Sequence, residues 1–378
     1  MTPNTEAELA DVIKAASGPL QVKGGGTRDI GKPVDGELLR TTGLTGITLY
    51  EPGALTLVAQ AGTPIATIEA ALDAENQRFA FEPMDHRVLL GTSGTPTIGG
   101  VVSANVSGAR RITVGACRDH LLGVRFVDGQ GNIIKNGGRV MKNVTGYDLV
   151  KLMAGSYGTL GVLSEVSMKV LPKPETSMTL QLDGLSIADS VTAMSAALGS
   201  AYEISGAAMV SGVTYLRLEG FEASVAYRAD QLSTLLAQYG ATGRIAHAAS
   251  TTLWRNITNV DVFSDHPTVT RVSVQPSVAP KVASALEGRA NFDVALDWGG
   301  GLMWVGMRGD DVEAATIHQH LQQIVQREGG HATLFKASTS LRSSTPVFQP
   351  EAPTVATLSA ALRTKFNPRG ILNTGLMS

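Results

Sequence analysis

Only one cysteine, Cys117, occurs in 378 residues. That count excludes an intrachain disulfide and any four-cysteine zinc or iron–sulfur site, and it fits a reducing compartment better than an oxidising one. A surplus of one charge is missing too. The 31 Lys and Arg against 33 Asp and Glu leave a formal charge of −2, which supplies no field to gather nucleic acid or an anionic membrane. No uninterrupted apolar run reaches the roughly 18 residues of a membrane span. The opening MTPNTEAELADVIKAAS has acidic residues and lacks the basic flank and apolar segment of a secretory leader. The expected location is cytoplasmic, with no direct membrane span. Peripheral association at the inner face of the membrane through partners is left open. No repeat of fixed period is present.

Glycine, by contrast, is abundant: 42 residues, well above the roughly 7% usual in globular chains. Three clusters stand out. LQVKGGGTRDIG places Gly24, Gly25 and Gly26 between Lys23 and Thr27. The second cluster is Gly91, Gly94, Gly99 and Gly100, the last two following Thr97 in PTIGGVVSANVSG ahead of Ser103 and Asn105. The third cluster is Gly155, Gly158 and Gly161. Glycine allows left-handed turns and lets backbone N–H groups approach an anion closely. The first cluster is neither a Walker A loop, since no Lys-Ser/Thr follows at the required offset, nor an alternating G-x-G-x-x-G. Taken singly, each cluster is equally well a tight turn; three in one region favour a shared ligand cradle.

The surrounding pattern is mixed helix and strand. Thr5 followed by Glu8 resembles a capping box ahead of Leu9, Val12 and Ile13 at helical spacing. ITLYEPGALTLVAQAG reads as two strands around Pro52 and Gly53. Thr63 and Pro64 are then expected as N-cap and first-turn proline of a helix. Asp128 and Gly129 turn a further hairpin, and Pro172 and Pro174 mark a boundary. Beyond residue 176, strand-like runs such as VTRVSVQP and NFDVALDWGGGLMWVGM alternate with amphipathic helical runs, the pattern of an antiparallel sheet covered by helices. The fold class is α+β, with domains expected over 1–173 and 174–350 and a C-terminal helix and tail over 351–378 returning to the first domain.

In order and spacing, VKGGGT, PTIGGVVSANVSG and the run NVTGYDLVKLMAGSYGTLGVLSEVSMKVLP resemble the FAD-binding domain of the vanillyl-alcohol oxidase and para-cresol methylhydroxylase (PCMH) superfamily. Over essentially the whole chain the sequence is similar to the bacterial glycolate oxidase E-subunit family. This resemblance implies a PCMH-type domain of two subdomains holding noncovalent FAD, with a cap domain of antiparallel sheet and helices. It places the cofactor against Lys23, Gly24, Gly25, Gly26, Thr27, Thr97, Gly99, Gly100, Ser103 and Asn105, closed over by Gly161 and Val162. Gly115, Arg118 and Asp119 fall in a turn that helps position it, an ordinary surface ion pair being an equal alternative. In MKNVTGYDLVK, Lys142, Asn143, Tyr147 and Asp148 are expected to stabilise the domain, with Tyr147 packing and Asp148 capping. FNPRGILNTGL resembles the returning tail of the family, in which Asn367, Pro368 and Asn373 help close the cofactor domain.

The resemblance also implies a paralogous FAD-binding catalytic subunit, an iron–sulfur subunit, and glycolate as the substrate of the complex. Catalytic 2-hydroxy-acid dehydrogenases of the superfamily carry a paired-histidine motif in the second domain. No adjacent pair occurs here: His318 and His320 are two apart and diverge on a helix, and His331 restores nothing. No metal site is expected. The leading expectation is an accessory or electron-transfer flavoprotein subunit. An independent dehydrogenase of another small 2-hydroxy acid or alcohol and a non-redox scaffold are the alternatives. His247, Arg255 and Lys336 are the cap-domain candidates for substrate contact, each more readily a surface or fold-stabilising residue. Catalytic residues are not assigned.

Overall fold

The computed structural model describes residues 1–140, 146–289 and 291–377. Lys142 and Asn143 lie outside the described residues. The chain opens with the helix Glu6–Ala15, whose Thr5 hydroxyl accepts from the Glu8 amide while Glu8 reaches the Asn4 amide at 2.8 Å rather than that of Thr5. Its buried stripe of Leu9, Ala10 and Ile13 packs on the parallel pair Leu20–Lys23 and Glu37–Arg40. A second subdomain is built on a five-stranded antiparallel sheet in the order Ile47–Glu51, Thr56–Gln60, Val162–Lys169, Leu121–Val127, Ile133–Gly137. The Pro52 turn and the Asp128 hairpin fall where the sequence puts them, and Asp128 Oδ1 accepts from the Gln130 and Asn132 amides.

Two local expectations fail for visible reasons. Thr63 does not cap the helix Ile65–Ala74. Its hydroxyl is taken up by the Gly46 amide and the Gln60 carbonyl, which leaves Pro64 at the cap. Tyr147 does not pack but is 87% exposed. The Asn136 amide holds its carbonyl, and Asp148 caps the helix Leu149–Met153.

The strand Thr176–Asp183 begins an eight-stranded antiparallel sheet that also holds Gly243–Ile245, Val213–Gly220, Gly206–Val210, Phe292–Asp297, Leu302–Met307, Thr268–Ser273 and His331–Lys336. The period-2 alternation of a strand sends side chains to opposite faces. In Leu302–Met307 this puts Met303, Val305 and Met307 under the covering helices, and Leu302 and Trp304 against the first domain. The sheet therefore has helices on one face and the glycine-rich domain on the other. The tail closes the molecule: Leu372 bridges Leu20, and the Asn373 side chain bonds the Val22 amide at 2.7 Å and the Tyr157 carbonyl at 2.8 Å.

Across the seam between the halves runs a buried ion cluster. Glu82 takes both terminal nitrogens of Arg217, at 2.8 and 3.0 Å, and pairs with Arg110 at 2.8 Å; Glu219 pairs with Arg110 and, at 3.0 Å, with Arg78. The Arg217 guanidinium also lies 4.6 Å over the Trp254 ring. Both carboxyls resist protonation, because the arginines outweigh the cost of burial. Glu82→Ala would strand buried guanidinium charge and is expected to lower unfolding free energy by about 3–5 kcal/mol, measured by urea denaturation. An unchanged midpoint would show that the cluster does not hold the halves together. With both folded-state pKa values depressed, this stabilisation is present above the ordinary carboxylate range near 4.5 and is lost as pH falls below it.

Candidate functional site

The three glycine clusters meet. Lys23, Gly24, Gly25, Gly26, Thr27, Thr97, Gly99, Gly100, Ser103, Gly161 and Val162 all line one elongated cavity, together with Arg28, Tyr157, Gly158, Asn373 and Leu376. The first two clusters also lie back to back. A Cβ on Gly25 would sit 1.5 Å from the Thr95 carbonyl oxygen, one on Gly94 would sit 1.8 Å from that of Gly25, and one on Gly24 would be 2.6 Å from Thr97 Oγ1. Glycine is required here by contact between two loops, and Gly26 additionally turns at φ +75°. Thr97 caps the short helix Ile98–Ser103 by accepting from the Gly100 amide.

Loop packing leaves donors over. Among the described residues, the amides of Gly24, Gly25, Gly26 and Thr27 have no hydrogen-bond acceptor, although the Gly25 carbonyl accepts from Thr95. Successive free N–H groups form an anion-binding concavity. Arg28 follows at once. Its Nε and one terminal nitrogen are buried with no partner, and burial lowers the guanidinium to about 10. Buried guanidinium nitrogens without acceptors are costly, and with the free amides they offer a donor set suited to an anion. From the cap domain, Arg342 holds the loop in place through the Asp29 and Gly31 carbonyls and the Asp29 carboxylate.

The other expected positions lie elsewhere. Asn105, at φ +48°, is in the wall of an adjoining chamber, and its side chain accepts from the Arg118 amide at 3.0 Å. Gly115 and Asp119 form a tight turn in which Asp119 accepts from the Ala116 amide, and Arg118 pairs loosely with Asp119 at 3.8 Å. This turn braces the second glycine cluster without reaching the cavity. Cys117 is fully buried, and burial pushes its thiol up. His318 is a core residue between Thr270 and the Pro346 carbonyl, lowered by burial to about 4. Among the described residues no group of three His, Cys, Asp or Glu is placed to hold a metal ion.

The adjoining chamber lies between the domains and shares Ile30, Ala104 and Tyr157 with the glycine-lined cavity. Its floor is two cross-strand rows of the eight-stranded sheet, Trp304–Arg271–Thr333 and Asp297–Leu302–Ser273–His331. Arg111 enters from the first domain, and both Arg111 and Arg271 lie over the Trp298 ring, at 4.4 and 5.2 Å. The cationic candidates picked from the sequence lie outside this chamber. Lys336 Nζ is held by the Ser264 carbonyl, the His247 ring accepts from the Ser177 amide, and Arg255 lines a neighbouring cleft. The missed signal is an arginine in the middle of the strand Thr268–Ser273, whose position faces the domain seam.

This cradle and its cap sheet define an FAD-binding protein of α+β fold. Residues 1–137 match the family described as FAD binding domain. The chain is 33% identical over 378 residues to glycolate oxidase subunit GlcE of Escherichia coli (strain K12), covering 99% of this chain and 97% of that protein, and it belongs to that family. Glycolate oxidase subunit GlcD of Bacillus subtilis (strain 168) is 31% identical over 186 residues, 48% of this chain and 38% of that protein. Among solved structures, 4-ethylphenol oxidase from Gulosibacter chungangensis shares the fold with a TM-score of 0.73 at 11% identity, covering 100% of this chain and 88% of that one. An alkyldihydroxyacetonephosphate synthase gives 0.70 at 15% identity, covering 99% and 76%.

Asp297 supplies a pH test of the chamber. Burial raises its carboxyl to about 7, assisted by nearby Glu82 and opposed by the Trp298 amide that it accepts at 2.7 Å. Between its ordinary value of 3.8 and about 7, the folded chain keeps a proton that the unfolded chain has lost, so stability falls as pH rises through that window. Asp297→Asn keeps an acceptor for the amide and removes the titration. It is expected to flatten the decline between pH 5 and 8 in denaturant titrations; an identical decline in both proteins would refute the assignment.

Proposed function

We propose that the chain is the FAD-holding subunit of a glycolate oxidase assembly, supporting oxidation of glycolate to glyoxylate and exchanging electrons with a paralogous flavoprotein. The carrying observation is the run of free amides from Gly24 to Thr27 next to Arg28, whose Nε and one terminal nitrogen are buried without a partner. These groups match the charge and hydrogen-bonding demand of a pyrophosphate. In this reading Lys23 and the Gly24–Thr27 loop hold the pyrophosphate together with Arg28, and Thr97, Gly99, Gly100, Ser103, Gly161 and Val162 line the rest of the cofactor. Asn105, Gly115, Arg118 and Asp119 act behind that lining as supports. FAD when bound supplies the two-electron redox chemistry.

Noncovalent attachment accords with the buried, protonated Cys117, which lines neither the cavity nor the chamber. One cysteine cannot hold an iron–sulfur cluster, so any such relay belongs to a separate subunit of the assembly. Among the described residues no helix is long and apolar enough to cross a membrane. The proposed location is cytoplasmic, any membrane contact being made through partners.

The purified chain is expected to carry stoichiometric FAD that is released into the supernatant on acid precipitation. Arg28→Leu is expected to weaken FAD retention about tenfold or more, the worth of a lost charge-assisted contact, read by flavin fluorescence during dilution. Full retention by that variant, or a wild-type chain that binds no flavin within an intact complex, would overturn the reading.

A further inference from the structure

Besides Arg342, which Asp29 pairs, six of the described arginines withdrawn from water in or beside the domain seam divide into two groups. Arg78, Arg110 and Arg217 share Glu82 and Glu219. Arg28, Arg111 and Arg271 form no ion pair with any described carboxylate. Arg28 belongs to the cradle already described. Arg111 and Arg271 face the chamber, one from each domain, and neither side chain makes a hydrogen bond to a described residue. Both are held over the same aromatic ring, Trp298, whose own N–H is anchored 3.0 Å from the Gly108 carbonyl across the seam. Arg271 also lies 6.0 Å from the Trp304 ring centre.

Stacking fixes the plane of a guanidinium while leaving its N–H edge free. Burial brings Arg271 down to about 10, opposed by the nearby Tyr157 hydroxyl and assisted by the positive charge of Arg111. A folded chain does not gain by holding two like charges together without a counter-ion. The planar donor edges match a carboxylate, which can accept from each in bidentate fashion.

We propose that Arg111 and Arg271 form a two-domain clamp for the carboxylate of a small 2-hydroxy acid, so that this chain has a substrate-binding chamber of its own beside the cofactor cradle. The proposal rests on the flavin reading for its redox meaning but not for the binding itself. Shared walls at Ile30, Ala104 and Tyr157 put the clamped molecule next to the cradle. Because the clamp draws one arginine from each domain, ligand binding also reinforces the seam.

The test is isothermal titration calorimetry of the full-length chain, with and without its flavin, using oxalate, a two-carbon dicarboxylate with no carbinol C–H to oxidise. Saturable binding in the millimolar range or tighter is expected. Arg111→Leu and Arg271→Leu should each weaken it about tenfold or more, and the exposed control Arg327→Gln should leave it unchanged. Thermal unfolding separates a ligand clamp from a structural role. Removing an uncompensated cation should leave the melting temperature unchanged or raise it, whereas a structural arginine would lower it. Oxalate binding that both leucine variants retain, or absence of binding to the wild-type chain, overturns the clamp. An altered flavin spectrum in Arg271→Leu with oxalate affinity intact does so as well, because the arginine then serves the cofactor. A wild-type chain that takes up no added FAD yet binds oxalate through the two arginines would refute the flavin reading and leave the clamp standing.

Discussion

The ion cluster at the seam is the constraint on which the rest of the molecule depends. The chamber is not complete within one domain, and the cradle loop depends on the cap for its support. The chamber takes Arg111 from the glycine-rich half and Arg271, Trp304 and Asp297 from the cap sheet, and the first glycine loop is pinned by Arg342 of the cap. What fixes the two halves in register is Glu82, a residue at φ +49° whose carboxylate collects Arg110 from its own domain and Arg217 from the other. Charged groups are a costly way to join two surfaces, since desolvation offsets most of the attraction. Their advantage is directional: bidentate geometry admits one orientation where an apolar seam would tolerate sliding.

Much of this organisation was legible in the sequence because it rests on local rules. Alternation and turn chemistry placed the strands around Pro52 and Asp128 and the cap strands beyond residue 176. The glycine clusters were legible as a cradle since three separated segments of one composition have few other reasons to coexist. The reason for each glycine was not legible. Gly25 and Gly94 are needed because two loops touch through their backbones, a contact between segments about seventy residues apart that no local pattern encodes. Thr63 failed as a cap for a similar reason: its hydroxyl found partners at Gly46 and Gln60.

The cavity-lining arginines that sequence reasoning missed share a different property. Arg28, Arg111 and Arg271 sit in ordinary contexts, GGGTRD, GARRIT and TVTRVS, and nothing in composition separates them from the arginines that are paired. Histidines drew attention because imidazole chemistry is familiar, yet His318 is a core residue and the His247 ring accepts a backbone hydrogen bond. What distinguishes an arginine available to a ligand is the absence of a carboxylate partner, and that becomes visible only after the sheet rows and the seam have formed.

The net charge of −2 conceals this asymmetry. The two carboxylates buried in the seam cluster are committed to three arginines that lock the domains. The one buried carboxyl in the chamber wall, Asp297, is pushed toward its neutral form. The cradle and chamber are therefore cationic inside a molecule that is slightly acidic overall. An anion bound in either space would stabilise the folded chain by mass action. The free amides and Arg28 fit a pyrophosphate, and the Trp298-backed pair fits a carboxylate. Stability and function then meet in one quantity: the electrostatic strain left when the domains close is the affinity available to the ligands that fill the space between them.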